Sequence, residues 1–112
     1  MSDARLPAHL EVSALLRLVE SNGGFAAVLQ RGERDAGTIM ILTTERGNNT
    51  ILWERMPQLD NSRPYTRSRT QGVENKKDFD EYIQRRMRQD PDAWVIELDI
   101  VNAERFISTM VT

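Results

Sequence analysis

Residues Thr38–Met56 read T-I-M-I-L-T-T-E-R-G-N-N-T-I-L-W-E-R-M, and the fold turns on this stretch. Thr38–Thr44 is rich in β-branched side chains, Gly47-Asn48-Asn49 is a turn signal, and Thr50–Met56 resumes as a strand that Pro57 closes. On the second of these strands Ile51, Trp53 and Arg55 share one face, and Leu52, Glu54 and Met56 share the other. Just upstream, Phe25–Gln30 (FAAVLQ) is a short apolar run that ends at Arg31-Gly32. Together these segments predict an antiparallel meander of three strands. The segment Arg31–Gly37 then reads as a hairpin loop whose glycines supply left-handed backbone angles, since it matches neither the Walker pattern nor the dinucleotide fingerprint.

Working outward, Val12, Leu15, Leu16 and Val19 recur at helical spacing behind Pro7, and Asn22-Gly23-Gly24 supplies a stop. This predicts a helix over Pro7–Ser21, although Leu10, Val12 and Ala14 also alternate as the start of a strand would. Downstream, Gln58–Glu74 is polar, with Asp60-Asn61-Ser62 as a turn and Pro64–Arg69 as a short edge strand. Asn75 is placed to cap a second helix reaching Gln89. Its stripe is Phe79, Tyr82, Ile83, Arg86 and Met87, and Asp90-Pro91-Asp92 ends it. Ala93–Ile100 alternates, with Trp94, Ile96, Leu98 and Ile100 on one face and Val95, Glu97 and Asp99 on the other. A short C-terminal helix after Asn102 would present Phe106, Ile107 and Met110. The predicted class is α+β: an antiparallel sheet of four to five strands flanked by two main helices, in the order α-β-β-β-(β)-α-β-α. We expect one domain over residues 1–112, with the helix pair burying both stripes on one sheet face.

Composition removes much chemistry. The 112 residues include no cysteine and one histidine, His9, so thiol nucleophiles, disulfides and thiolate metal sites are unavailable to the chain. No cofactor or metal is expected; His9, with only Glu11 nearby, reads as a surface residue. The net charge of −2 gives no general pull toward nucleic acid or membranes. The first ten residues lack the apolar core of a signal peptide, no membrane span is expected, and a cytoplasmic location is the reading. Charge is nonetheless segregated. Residues 63–88 hold 8 basic and 4 acidic groups, net +4, and residues 89–112 hold 1 basic and 5 acidic groups, net −4.

The order of short motifs is also informative. Leu15-Leu16-Arg17 precedes Gly23-Gly24-Phe25-Ala26; Arg31-Gly32 and Asp35-Ala36-Gly37 open a strand; Arg85-Arg86 and Asp90-Pro91-Asp92-Ala93-Trp94-Val95 follow. In this the chain resembles, over nearly its whole length, a family of short bacterial proteins classed as domain of unknown function fourteen ninety-one. The resemblance implies a cytoplasmic protein and assigns no activity, cofactor or catalytic residue.

The basic segment is the leading candidate for a contact surface: Arg63, Tyr65, Arg67, Arg69, Arg85 and Arg88, with tyrosine faces beside guanidinium forks. Part of it has a local explanation. Asp78, Asp80 and Glu81 early in the helix and Arg85, Arg86 and Arg88 late in it follow the helix dipole, and Lys77–Glu81 and Glu81–Arg85 are i,i+4 pairs. The loop arginines have no such explanation. Two carboxylate sets are weaker candidates. Glu97 and Asp99 share a strand face, and Glu54 lies among apolar neighbours where it would pair with Arg46 or Arg31. The expected function is a non-enzymatic binding or interaction module facing an acidic partner, whether an acidic protein, RNA or the acidic C-terminal region of a second copy. The alternative is a small enzyme using Glu54, Glu97 and Asp99 on a phosphorylated or cationic metabolite.

Overall fold

In the computed structural model the described residues are 6–55, 59, 64–72 and 75–107. The elements are α1 (Ala8–Ser21), β1 (Phe25–Gln30), β2 (Ile39–Glu45), β3 (Asn48–Arg55), β4 (Tyr65–Thr70), α2 (Lys76–Gln89), β5 (Trp94–Asp99) and α3 (Glu104–Ile107). This is the predicted α+β order. The expectations for Met56, Pro57, Asp60-Asn61-Ser62, Arg63, Glu74 and Met110 fall outside the described residues.

The strand order is β1-β5-β2-β3-β4, so the three-strand meander is corrected. β2 and β3 form the expected antiparallel hairpin, but β5 inserts between β1 and β2, antiparallel to β1 and parallel to β2. The sheet is therefore mixed. The reason lies in burial. β2 is buried on both faces, as its nearly continuous apolar run requires, and only a strand with apolar residues on both faces can flank it. β5 meets that need with Trp94, Ile96 and Leu98 on one face and Val95 on the other. β1 cannot: Phe25 is 77% exposed, and the strand is left at the edge.

The hairpin closes through Arg46 and Gly47, both at positive φ, the two-residue turn whose twist suits adjoining strands. Asn49 is also left-handed, where the β2–β3 register shifts. The Thr-rich end of the hairpin is buried yet satisfied: Trp53 Nε1 donates to Thr43 Oγ1 at 2.8 Å, and Thr50 Oγ1 donates to Thr44 Oγ1 at 3.1 Å.

The helices do not share a face, contrary to expectation. α1 and α3 cover the face bearing Ile39, Ile41, Trp53, Ile96 and Leu98. α2 covers the opposite face through Phe79 and Ile83 against Met40, Leu42, Leu52 and Val95. β2 carries apolar side chains on both sides, and each face demands its own cover. α1 ends as predicted, with Gly23 left-handed and Gly24 N–H bonded to Val19 O at 3.0 Å. α2 starts as predicted, but the Asn75 side chain does not cap it; Asn75 Oδ1 accepts from Gly72 N–H instead.

Segment Arg31–Gly37 is no hairpin loop, because β1 and β2 are not paired. It wraps the turn between α2 and β5: Glu33 N–H bonds Asp92 O at 2.8 Å, and Trp94 Nε1 donates to Glu33 O at 2.8 Å. Neither Gly32 nor Gly37 has positive φ. A Cβ on Gly32 would strike the backbone of Asp92, Ala93 and Trp94, so close approach is what requires glycine. The same loop satisfies the start of α1, where Ala8 and His9 N–H bond the carbonyls of Asp35 and Arg34, each at 2.9 Å. His9 is half-buried rather than a free surface residue, its Nδ1 donating to Arg34 O at 3.1 Å.

Candidate functional site

β4 is the second sheet edge, and a bulge in it builds the basic face. Trp53 pairs with Arg67 and Leu52 with Arg69, which leaves Ser68 as an extra residue. Ser68 and Arg69 then both meet groups on the α2 side. Ser68 Oγ donates to Glu54 Oε2, and Arg69 Cζ lies 3.7 Å from the Tyr82 ring centroid. Arg85 is 5.9 Å from the same centroid. With Arg86 at 5.7 Å, three guanidiniums surround one tyrosine, each contact worth about 0.5–1 kcal/mol at an exposed site.

Beneath them Glu54 pairs with Arg86 of α2, not with Arg46 or Arg31. Arg86 Nη2 donates to Glu54 Oε1 at 2.6 Å, Arg86 Nη1 to Oε2 at 3.3 Å, and Nη1 also to Tyr82 Oη at 2.8 Å. Partial burial favours a neutral Glu54 carboxyl. Hydrogen bonds from Arg86 and Ser68 and the charge of Arg86 outweigh it, so the group titrates below its ordinary 4.5. The Arg86 pKa is raised in turn, first by its bond to Glu54, against the opposing effect of burial.

A second polar cluster lies on the other sheet face. Glu11 of α1, only 2% exposed, accepts from Arg55 Nη2 at 2.5 Å and from Tyr65 Oη at 2.7 Å. The Arg55 guanidinium also stacks on the Tyr65 ring at 4.6 Å. Sequence reasoning missed this cluster. The signal was present: Glu11 falls in step with Ala8, Val12, Leu15 and Val19, a carboxylate on the buried stripe of α1. Opposite it, Arg55 shares its β3 face with the core residue Trp53.

The candidate contact residues are therefore divided. Tyr65 and Arg67 meet groups on the α1–α3 side; Arg67 sits 5.4 Å from the Trp53 ring and 3.5 Å from Glu104 Oε2 of α3. Arg69 and Arg85 come together at Tyr82, Arg88 is exposed near the end of α2, and Arg63 lies outside the described residues. The i,i+4 pairs Lys77–Glu81 and Glu81–Arg85 do not close to ion pairs; Arg85 lies against Tyr82 instead. Of the carboxylate sets, Glu54 joins the Arg86 cluster. Asp99 is elsewhere, accepting from Arg46 N–H at 2.9 Å, and Glu97 is half-buried beside it on β5.

Glu54, Arg86, Glu11 and Arg55 all border one cleft of about 450 Å³, between the start of α1, loop Asp35–Thr38 and the end of α2. Among the described residues no three His, Asp or Glu side chains converge as a metal site would require. No helix among them is long and apolar enough to cross a membrane.

Comparison with known proteins agrees with this architecture. A crystal structure of a DUF1491 family protein from Caulobacter crescentus CB15 is similar at 28% identity and a TM-score of 0.80, over 93% of this chain and 96% of that one. An NMR structure of a DUF1491 family protein from the same organism gives 29% identity and 0.76, over 92% and 93%. The solution structure of protein Atu0922 from A. tumefaciens gives 30% and 0.74, over 93% of each chain. No curated protein matches. The family model described as "Protein of unknown function (DUF1491)" matches residues 6–108, and the chain belongs to that family.

Proposed function

We propose that this protein is a binding module that takes an acidic protein segment along β4 and the C-terminal half of α2. The observation that carries the reading is the pair of guanidiniums, Arg69 and Arg85, set around Tyr82 without a carboxylate of their own among the described residues. Arg86 beside them is committed to Glu54, whereas Arg69 and Arg85 face solvent. Arg88 extends the charge along α2. β4 pairs with β3 on one side, and among the described residues no strand pairs with its other side, where an incoming strand's acidic side chains would meet the arginines. A carboxylate enzyme is less well supported, because Glu54 is held ionised and makes a poor proton donor near neutral pH.

The test is fluorescence anisotropy with a labelled Glu-rich peptide of about ten residues at two salt concentrations. The peptide should bind with an affinity that falls as salt rises, and Arg69→Ala with Arg85→Ala should weaken it about tenfold. Absence of salt-sensitive binding, or tighter retention of an oligouridine probe of equal length, would overturn the reading. So would salt-sensitive self-association by light scattering that the Glu-rich peptide does not displace.

A further inference from the structure

The two edges of the sheet are guarded differently. β4 carries Arg67 and Arg69, whose charge turns away a basic strand. β1, at the opposite edge, reads FAAVLQ, with no charge and no proline to guard it. Among the described residues no strand pairs with its outer side. Its apolar side chains are open to solvent as well: Phe25 is 77% exposed, Leu29 46% and Val28 39%. A register shift between Val28 and Gln30 ends the regular pairing with β5, so Phe25–Val28 is the stretch fit to take a further strand.

The register sets two carboxylates beside this edge. Phe25 pairs with Asp99 and Ala27 with Glu97, so these four side chains share the side of the sheet that α2 covers farther along β5, at Val95. The apolar cluster under α2 takes in nothing from β1. Asp99 accepts from Arg46 N–H at 2.9 Å. Glu97 is half-buried, and among the described residues no cation pairs with its carboxylate. Between the edge and Glu97 stands only the methyl group of Ala27. A residue opposite Ala27 on an added strand would lie two strand spacings, about 10 Å, from Glu97, a span that a lysine and a glutamate side chain close between them. A second copy suits the edge poorly. Two-fold pairing of β1 with itself would bring the carboxylates of both copies to one face with no cation between them.

We propose that β1 is a docking edge for an extended segment of another protein, apolar with a lysine or arginine at its centre. The segment adds to the five-stranded sheet beside β1 through main-chain hydrogen bonds. Its cation crosses over Ala27 to Glu97, and its apolar side chains lie against Phe25 and Val28. This edge shares no residue with the Arg69–Tyr82–Arg85 surface, so either reading survives the failure of the other.

The experiment is a titration of the ¹⁵N-labelled protein, at constant ionic strength, with a peptide of about seven residues blocked at both ends. Threonine alternates in it with leucine, lysine and leucine, so the lysine is central whichever way the strand runs. Saturable amide shifts are expected at Phe25–Val28 and Glu97, with slowed amide exchange in β1. Glutamate in place of the lysine should weaken binding about tenfold. Glu97→Gln should weaken binding of the lysine peptide about threefold. Ala27→Lys, at an exposed position where the new charge guards the edge, should abolish it. Arg69→Ala with Arg85→Ala should leave it unchanged. The proposal is overturned if the lysine peptide does not saturate, if its shifts fall on Tyr65–Thr70 instead, or if the glutamate peptide binds as tightly. It is also overturned if Glu97→Gln or Ala27→Lys, its spectrum otherwise native, binds like the parent. Self-association seen by light scattering and lost in Ala27→Lys would give the edge to a second copy and overturn it too.

Discussion

Glu11 Oε2 stands 2.5 Å from Arg55 Nη2, and this ion pair is nearly sealed from water: Glu11 is 2% exposed and the Arg55 side chain 11%. It joins the N-terminal half of α1 to the end of β3, and Tyr65 brings in β4 through the same oxygen. Desolvating two charges is expensive, so the pair is better understood as fixing where these elements meet than as a net source of stability.

Removing one partner should therefore cost more than removing the whole cluster. Glu11→Ala removes the buried carboxylate that Arg55 and Tyr65 both donate to and is expected to destabilise by about 3–5 kcal/mol in urea denaturation. Glu11→Leu with Arg55→Met and Tyr65→Phe should recover most of that loss. A triple variant less stable than Glu11→Ala alone would contradict this account.

The Glu54–Arg86 pair predicts the acid limb of stability. A carboxyl whose folded pKa lies below its ordinary 4.5 contributes stability that is present above that value and lost as pH falls through the folded pKa. Arg86 stays charged throughout, so the step belongs to Glu54. Urea midpoints measured from about pH 6 to about pH 3 should fall more steeply for the parent than for Glu54→Gln. The gap between the two should narrow toward acid, and a constant gap would count against the pair.

Gly32 tests the seating of the loop on the α2–β5 turn. In Gly32→Ala the new Cβ meets backbone atoms of Asp92, Ala93 and Trp94, which no side-chain rotation relieves. A loss of about 2 kcal/mol or more is expected in thermal or urea unfolding. The same substitution at Gly72, where among the described residues the Asn75 side chain is what approaches, should be far milder.

Two apolar residues on neighbouring strands should respond oppositely to truncation. Leu98 is fully buried between the sheet and α1, and Leu98→Ala is expected to cost about 2–5 kcal/mol. Phe25, 77% exposed on edge strand β1, should change stability by about 0.5 kcal/mol or less as Phe25→Ala. Comparable losses at both sites would show that β1 is covered in solution.

By itself the sequence determined which segments become helices and strands. The β-branched run at Thr38–Thr44, the stripe from Phe79 to Met87 and the stop at Asn22-Gly23-Gly24 act through local backbone sterics and periodicity, and each appears where the residues place it. Tertiary structure alone decided the strand order, the side of the sheet each helix takes, and the partner of each buried charge. Nothing local to β1 states that β5, more than sixty residues away, will separate it from β2; that follows from β2 needing an apolar neighbour on both faces. The candidate site divides in the same way. The basic residues could be read one by one, but the bulge that carries Ser68 to Glu54 and Arg69 to Tyr82 is a register shift between strands. The meeting of Glu11 with Arg55 likewise exists only once α1 lies on the sheet, because a charge finds its partner through space and not through spacing along the chain.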